Sequence, residues 1–106
     1  MASLEQPPVR DGAVDDALIL RLYIAGAAPN SLRAVENLKA LCAAHFEERC
    51  SLEIVDVLKE PLRALNDDIL VTPTLVKLSP GVRTRVIGDL SDDRKVLSAL
   101  HGGANL

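Results

Sequence analysis

Tryptophan is absent from this chain of 106 residues, and phenylalanine and tyrosine occur once each. Large aromatic anchors therefore cannot dominate its interior, which must be assembled from branched aliphatic side chains. Cysteine is nearly as scarce. Cys42 and Cys50 stand eight positions apart, in neither a C-x-x-C nor a zinc-ligand pattern. They read as reduced structural thiols, Cys42 on the apolar side of a helix and Cys50 just before a strand. His45 and His101 lie more than fifty residues apart with no ligand beside either, and they read as solvated helix residues. No glycine-rich phosphate loop and no Ser-His-Asp spacing occurs. Basic charge is not in excess: 12 Lys and Arg against 15 Asp and Glu give a net charge of −3. That balance argues against nucleic acid as the principal ligand. Apolar runs such as Leu18 to Leu20 and Ile69 to Val71 are too short to span a bilayer, so no membrane role is expected. The stretch from Met1, with Glu5, Asp11, Asp15 and Asp16, has no apolar h-region of a secretion signal, and a cytoplasmic location is expected.

What is present is an ordinary globular composition, 48% hydrophobic and 25% charged, with room for one core. Pro7-Pro8 and Gly12 lie among scattered acids without periodicity, so residues 1–16 read as a flexible tail before a domain over 17–102; residues 103–106 form a short second tail. Leu18 to Ala25 is a strand apolar on both faces except at Arg21, as suits a central place in a partly parallel sheet. Gly26 ends it. Pro29-Asn30-Ser31 opens a helix whose apolar stripe is Leu32, Val35, Leu38, Cys42 and Phe46, with Arg33, Glu36, Asn37, Ala40 and Ala43 facing away. Ser51 to Val57 is a second strand, parallel to the first across a right-handed crossover. A short helix follows from Pro61 through Leu62, Leu65 and Ile69, then a strand after Thr72-Pro73-Thr74. Ser79-Pro80-Gly81 suits a type II turn, with Val82 to Ile87 pairing back. Asp89 to Asp93 supplies a cap for a last helix carrying Val96, Leu97 and Leu100. The order βαβαββα defines an α/β chain of thioredoxin-like topology.

A thiol-redox enzyme of that topology needs a cysteine at the start of the first helix, where orphan N–H groups stabilise its thiolate. This turn reads Gly26-Ala27-Ala28-Pro29-Asn30-Ser31 and has none. Ser31 is explained most simply as a helix cap. Pro73 stands where this topology places a cis-proline before the third strand, a position that opens backbone groups to an extended ligand. Asp89, Asp92 and Asp93 lack the loop of a calcium motif and read as capping residues. No catalytic residue, metal site or cofactor is therefore expected. The remaining candidates are basic: Arg33, Lys59, Lys77, Arg83 and Arg85, the last two sharing one face by the period of two. Converging at one sheet edge, they would suit an acidic protein surface.

Five stretches, in order, resemble the KaiB family: Leu20 to Gly26, Pro29 to Ala34, Ile54 to Pro61, Ile69 to Leu75, and Val86 to Asp92. The resemblance covers about Leu18 to Leu100. It implies a non-enzymatic regulatory protein that binds a KaiC-like hexameric ATPase on its N-terminal ring, competing there with the thioredoxin-like sensor domain of a histidine kinase. It also implies metamorphosis: a ground state, often tetrameric, with a rewired C-terminal half, and a thioredoxin-like monomer that binds the partner. Carried onto matching positions, Arg33, Lys59, Lys77 and Arg85 become partner-facing, while Thr84 stands where a second basic residue is common. Pro73, Gly88 and Ala99 become the conformational positions. Ala99 replaces a common glycine, and alanine favours helix over glycine by about 1 kcal/mol. The chain here also stops at His101 to Leu106 without an apolar, aromatic tail, so the thioredoxin-like monomer is the expected state. Two alternatives stay open: a KaiB-like stress-related adaptor with another partner, and a thiol-transfer enzyme with an atypical site.

Overall fold

The computed structural model describes residues 18–46 and 49–102; the expected tails lie outside the described residues. The elements are β1 (Leu18–Ile24), α1 (Pro29–His45), β2 (Cys50–Asp56), α2 (Pro61–Asn66), β3 (Thr74–Ser79), β4 (Thr84–Ile87) and α3 (Asp93–Gly102). This is the expected thioredoxin-like order, with the C-terminal half helical at 93–102. The sheet runs β2-β1-β3-β4. β1 pairs parallel with β2 from Leu18↔Cys50 to Ile24↔Asp56, β3 lies antiparallel on its other side, and β4 closes the far edge as a hairpin. The strand that is apolar on both faces thus lies inside the sheet, with a neighbour on each side.

Strand alternation divides the core in two. Leu18, Leu20, Leu22, Leu75 and Val86 meet Ala34, Leu38 and Leu41 of α1 and Val96 and Leu100 of α3. Tyr23, Val55 and Val76 point the other way, toward Ala64 of α2. Two helices cover the first face fully, whereas one short helix covers only part of the second.

The buried stripe of α1 is rotated from the expected one. It is Ser31, Ala34, Leu38, Leu41 and Cys42, while Leu32 is half exposed; Val35 and Phe46 pack at the margin. Small residues at 31 and 34 bring the helix close to β1, and Ser31 Oγ accepts the Ala25 N–H at 3.0 Å. Ser31 is therefore a buried tether; Ala28 occupies the N-cap with no side-chain bond, and Pro29 opens the helix. α2 stops at Asn66, short of the expected Ile69, because Asp68 takes a left-handed φ of 57° and the Ile69 N–H turns back to the Ala64 carbonyl at 2.9 Å. At α3 the expected capping is present: Asp92 Oδ1 accepts the Lys95 N–H at 3.2 Å. Both Thr72–Pro73 and Ser79–Pro80 are cis, and Gly81 has φ 78°. The turn thus keeps the positive φ expected of a type II turn, with a cis bond before it. β4 begins at Thr84, two residues later than expected, and Val82 is exposed.

Candidate functional site

At the end of the sheet where β1 and β2 finish, the turns that follow these two strands come together. Gly26 turns the chain out of β1 with φ 55°, and its N–H donates to Asp56 Oδ1 at 3.0 Å; the same oxygen accepts the Leu58 N–H. A Cβ at Gly26 would stand 3.2 Å from the Leu58 side chain, so the β1–α1 turn packs tightly on the β2–α2 turn. Pro73 sits across from them, and its carbonyl accepts the Gly88 N–H at 3.0 Å. Gly88 holds φ 118° to make that bond. Ala99 packs partly buried against the core from α3.

No thiol lies at this end. Cys42 and Cys50 are free and sit at the opposite one, where α1 ends and β2 starts. Burial, and then the neighbouring Cys50, push the Cys42 thiol up to about 12, and burial raises Cys50 as well. Both are poor nucleophiles at neutral pH. Among the described residues, no three His, Cys, Asp or Glu side chains gather as metal ligands, and no helix is long and apolar enough to cross a membrane.

The five basic candidates do not form one patch. Arg33 Nε pairs with Asp89 Oδ2 at 3.3 Å beside α1, and its guanidinium also meets Asn30. Lys59 is exposed after β2. Arg83 and Arg85 do meet, over the end of α2: Arg83 reaches Asp67 Oδ1 at 3.6 Å, and Arg85 donates to the carbonyls of Asp67 and Asp68. Lys77 corrects the expectation of a surface cation. It is 1% exposed, because alternation puts it on the Leu75 side of β3, beneath α1 and α3.

Two features escaped the sequence reading. The first is a polar network on the α2 face. Arg21 bridges Glu53 and Asp67, each at 3.0 Å, Arg63 holds Glu53 at 2.6 Å, and the Tyr23 hydroxyl donates to Asp67 Oδ2. The Tyr23 hydroxyl, with Arg21 behind it, holds Asp67 below the usual carboxylate range; Arg63, with Arg21 adding to it, lowers Glu53 to about 2. Beside Arg33, the Ser91 hydrogen bonds hold Asp89 low as well. The second is apolar. Leu58, Leu62, Leu65, Leu70 and Val71, on α2 and its two connections, stand in solvent, with Leu62 71%, Leu65 68% and Leu70 92% exposed. A helical period would have hidden Leu62 and Leu65, but α2 is too short to turn both inward. Only Ala64 is buried from it.

A family model described as the KaiB domain matches residues 21–101. The circadian clock oscillator protein KaiB of Prochlorococcus marinus subsp. pastoris is 50% identical over 82 residues, covering 77% of this chain and 77% of that protein. The protein of the same name from Synechococcus elongatus is also 50% identical, over 77% of this chain and 80% of its own. Among solved structures, the N-terminal domain of Synechococcus elongatus SasA superposes with a TM-score of 0.69 at 26% identity, covering 100% of this chain and 99% of that one. The thioredoxin of Fasciola hepatica has a TM-score of 0.67 at 17% identity, over 86% and 85% of the two chains, a likeness of fold.

Proposed function

The chain belongs to the KaiB family of circadian clock proteins, and from that premise we propose that it is a non-enzymatic regulatory module that binds a KaiC-like hexameric ATPase in its thioredoxin-like state. The observation that carries this reading is the apolar surface around α2. A domain with few large side chains to spend leaves Leu58, Leu62, Leu65 and Leu70 in water. Contiguous exposed apolar surface rimmed by charge marks a protein-binding site. Here the rim is Lys59, Arg83 and Arg85, with the Asp67 network beneath. Apolar contacts at the centre supply affinity, and the rim cations act mainly on encounter rate and salt dependence. Arg33, on the α1 side and paired with Asp89, belongs to a separate part of that end of the sheet.

The non-enzymatic reading is supported by the missing thiol: the first-helix turn has none, and the two cysteines lie at the far end with raised pKa values. Binding through backbone and apolar contacts is what this version of the fold retains. The test is titration of the full chain with a KaiC-like hexameric ATPase. Leu62→Glu and Leu70→Glu, both at positions in solvent, leave the amide spectrum dispersed and weaken binding at least tenfold, about 1.4 kcal/mol. Unchanged affinity in both variants refutes the surface. A disulfide-reduction rate above background in the wild type refutes the non-enzymatic reading.

A further inference from the structure

At the end of the sheet remote from α2, a cavity of about 340 Å³ opens between the start of β1, the last turns of α1 and α3, and the β3–β4 turn. Its described walls include Lys77, Arg49, His45 and His101 and no acidic residue. The Lys77 side chain is almost wholly buried, and among the described residues it has neither an ion pair nor a hydrogen bond to its ammonium. The ammonium end reaches the cavity wall, since a Cβ on Gly81 would lie 3.7 Å from Nζ. A buried ammonium without a partner is costly, and a bound anion would offset that cost. Phe46 and Leu100 give the cavity an apolar side, and the Phe46 ring tilts against His101 at 5.3 Å.

We infer that this cavity is a binding site for a small organic phosphate, with Lys77 as its buried anchor and Arg49 as the entrance cation. Arg49 is exposed at the rim and offers a planar fork suited to phosphate oxygens. The grip must come from side chains, because α1 and α3 end here and present carbonyls, which repel an anion. The volume lies at the lower end of small-molecule sites, so a phosphate with a compact apolar or aromatic body fits and a large cofactor does not. This site is distinct from the α2 surface.

Phenyl phosphate and inorganic phosphate serve as probes for the full chain, titrated by amide NMR against matched sodium chloride. The site gives saturable shifts at Gly81, Leu100 and His101 with both phosphates, larger in affinity for phenyl phosphate, and none with chloride. Lys77→Met abolishes saturation, and Arg49→Gln weakens it at least tenfold. If Lys77→Met fails to fold, Arg49→Gln carries the decision, since Arg49 is exposed and outside the core. Absence of saturable shifts in the wild type overturns the inference. So does unchanged affinity in either folded variant.

Discussion

Replacing Asp67 by Asn isolates the electrostatic joint that holds α2 to the sheet. The Asp67 side chain is 15% exposed, Arg21 meets it at 3.0 Å, and the fully buried Tyr23 donates to the same oxygen. Asparagine keeps the shape and an acceptor for Tyr23 but removes the charge that pairs Arg21 and Arg83. A hydrogen bond to a charged group is worth about 1.5–3 kcal/mol. The variant should therefore lose about 2 kcal/mol, a fall in Tm of roughly 8–16 °C for a domain of this size. The pH dependence separates this cause from a packing defect. The folded-state pKa of Asp67 is depressed, so its contribution is present above the unfolded carboxyl value of about 3.9 and is lost as pH falls through the lower folded value. Urea melts from pH 7 to pH 2 should show a wild-type advantage that is largest at pH 5–7 and closes in acid, at constant m. Glu53, held near about 2 by Arg63 and Arg21, is common to both proteins and cancels. An Asp67→Asn midpoint equal to wild type, or a gap that does not change with pH, would show that the Asp67 charge does not hold α2 to the sheet.

Gly88→Ala places a side chain at φ 118° with nothing within 4 Å, so the cost is backbone strain of about 1–3 kcal/mol; denaturant melts should show it, and an unchanged midpoint would contradict the bond to Pro73. Cys42 should resist Ellman's reagent at pH 8 in the native state and react only on unfolding, because its thiol stands at about 12; prompt labelling at Cys42 would contradict its burial. Above pH 10 stability should decline, since Tyr23 has a raised folded pKa, mainly from burial, and that stability is lost as pH rises through it; an alkaline midpoint identical for Tyr23→Phe and wild type would contradict this. Arg85→Glu should lower the salt dependence of partner association and weaken it by about 1 kcal/mol; an unchanged association rate across ionic strength would remove Arg85 from the rim.

The element order and the parallel βαβ unit were legible because Leu18 to Ile24 is apolar at nearly every position, which only a central strand requires. Turn chemistry also carried through: Pro29 opens α1, Asp92 caps α3, and Pro73 stands where the topology places it. Periodicity failed where size and tethering outweighed hydrophobicity. Ser31 is buried because its hydroxyl serves the Ala25 N–H, and this rotates Leu32 outward. Lys77 was misplaced because a charged residue in a strand reads as solvent-facing, whereas its neighbours Leu75 and Val76 already fix it on the α1 side. The Asp67 network was not legible at all. Its members Arg21, Tyr23, Glu53, Arg63 and Asp67 are spread over β1, β2, α2 and the residue after α2, and only the lone Arg21 in an apolar strand hinted at it.

Hydrogen exchange of the chain, free and bound to a KaiC-like hexameric ATPase, reads the binding surface and the state of the fold together. New protection is expected over Leu58 to Val71, with Asp93 to Leu100 still protected as helix in both states. Protection confined to other surfaces, or loss of helical protection at Asp93 to Leu100 in the complex, would contradict binding through the thioredoxin-like state.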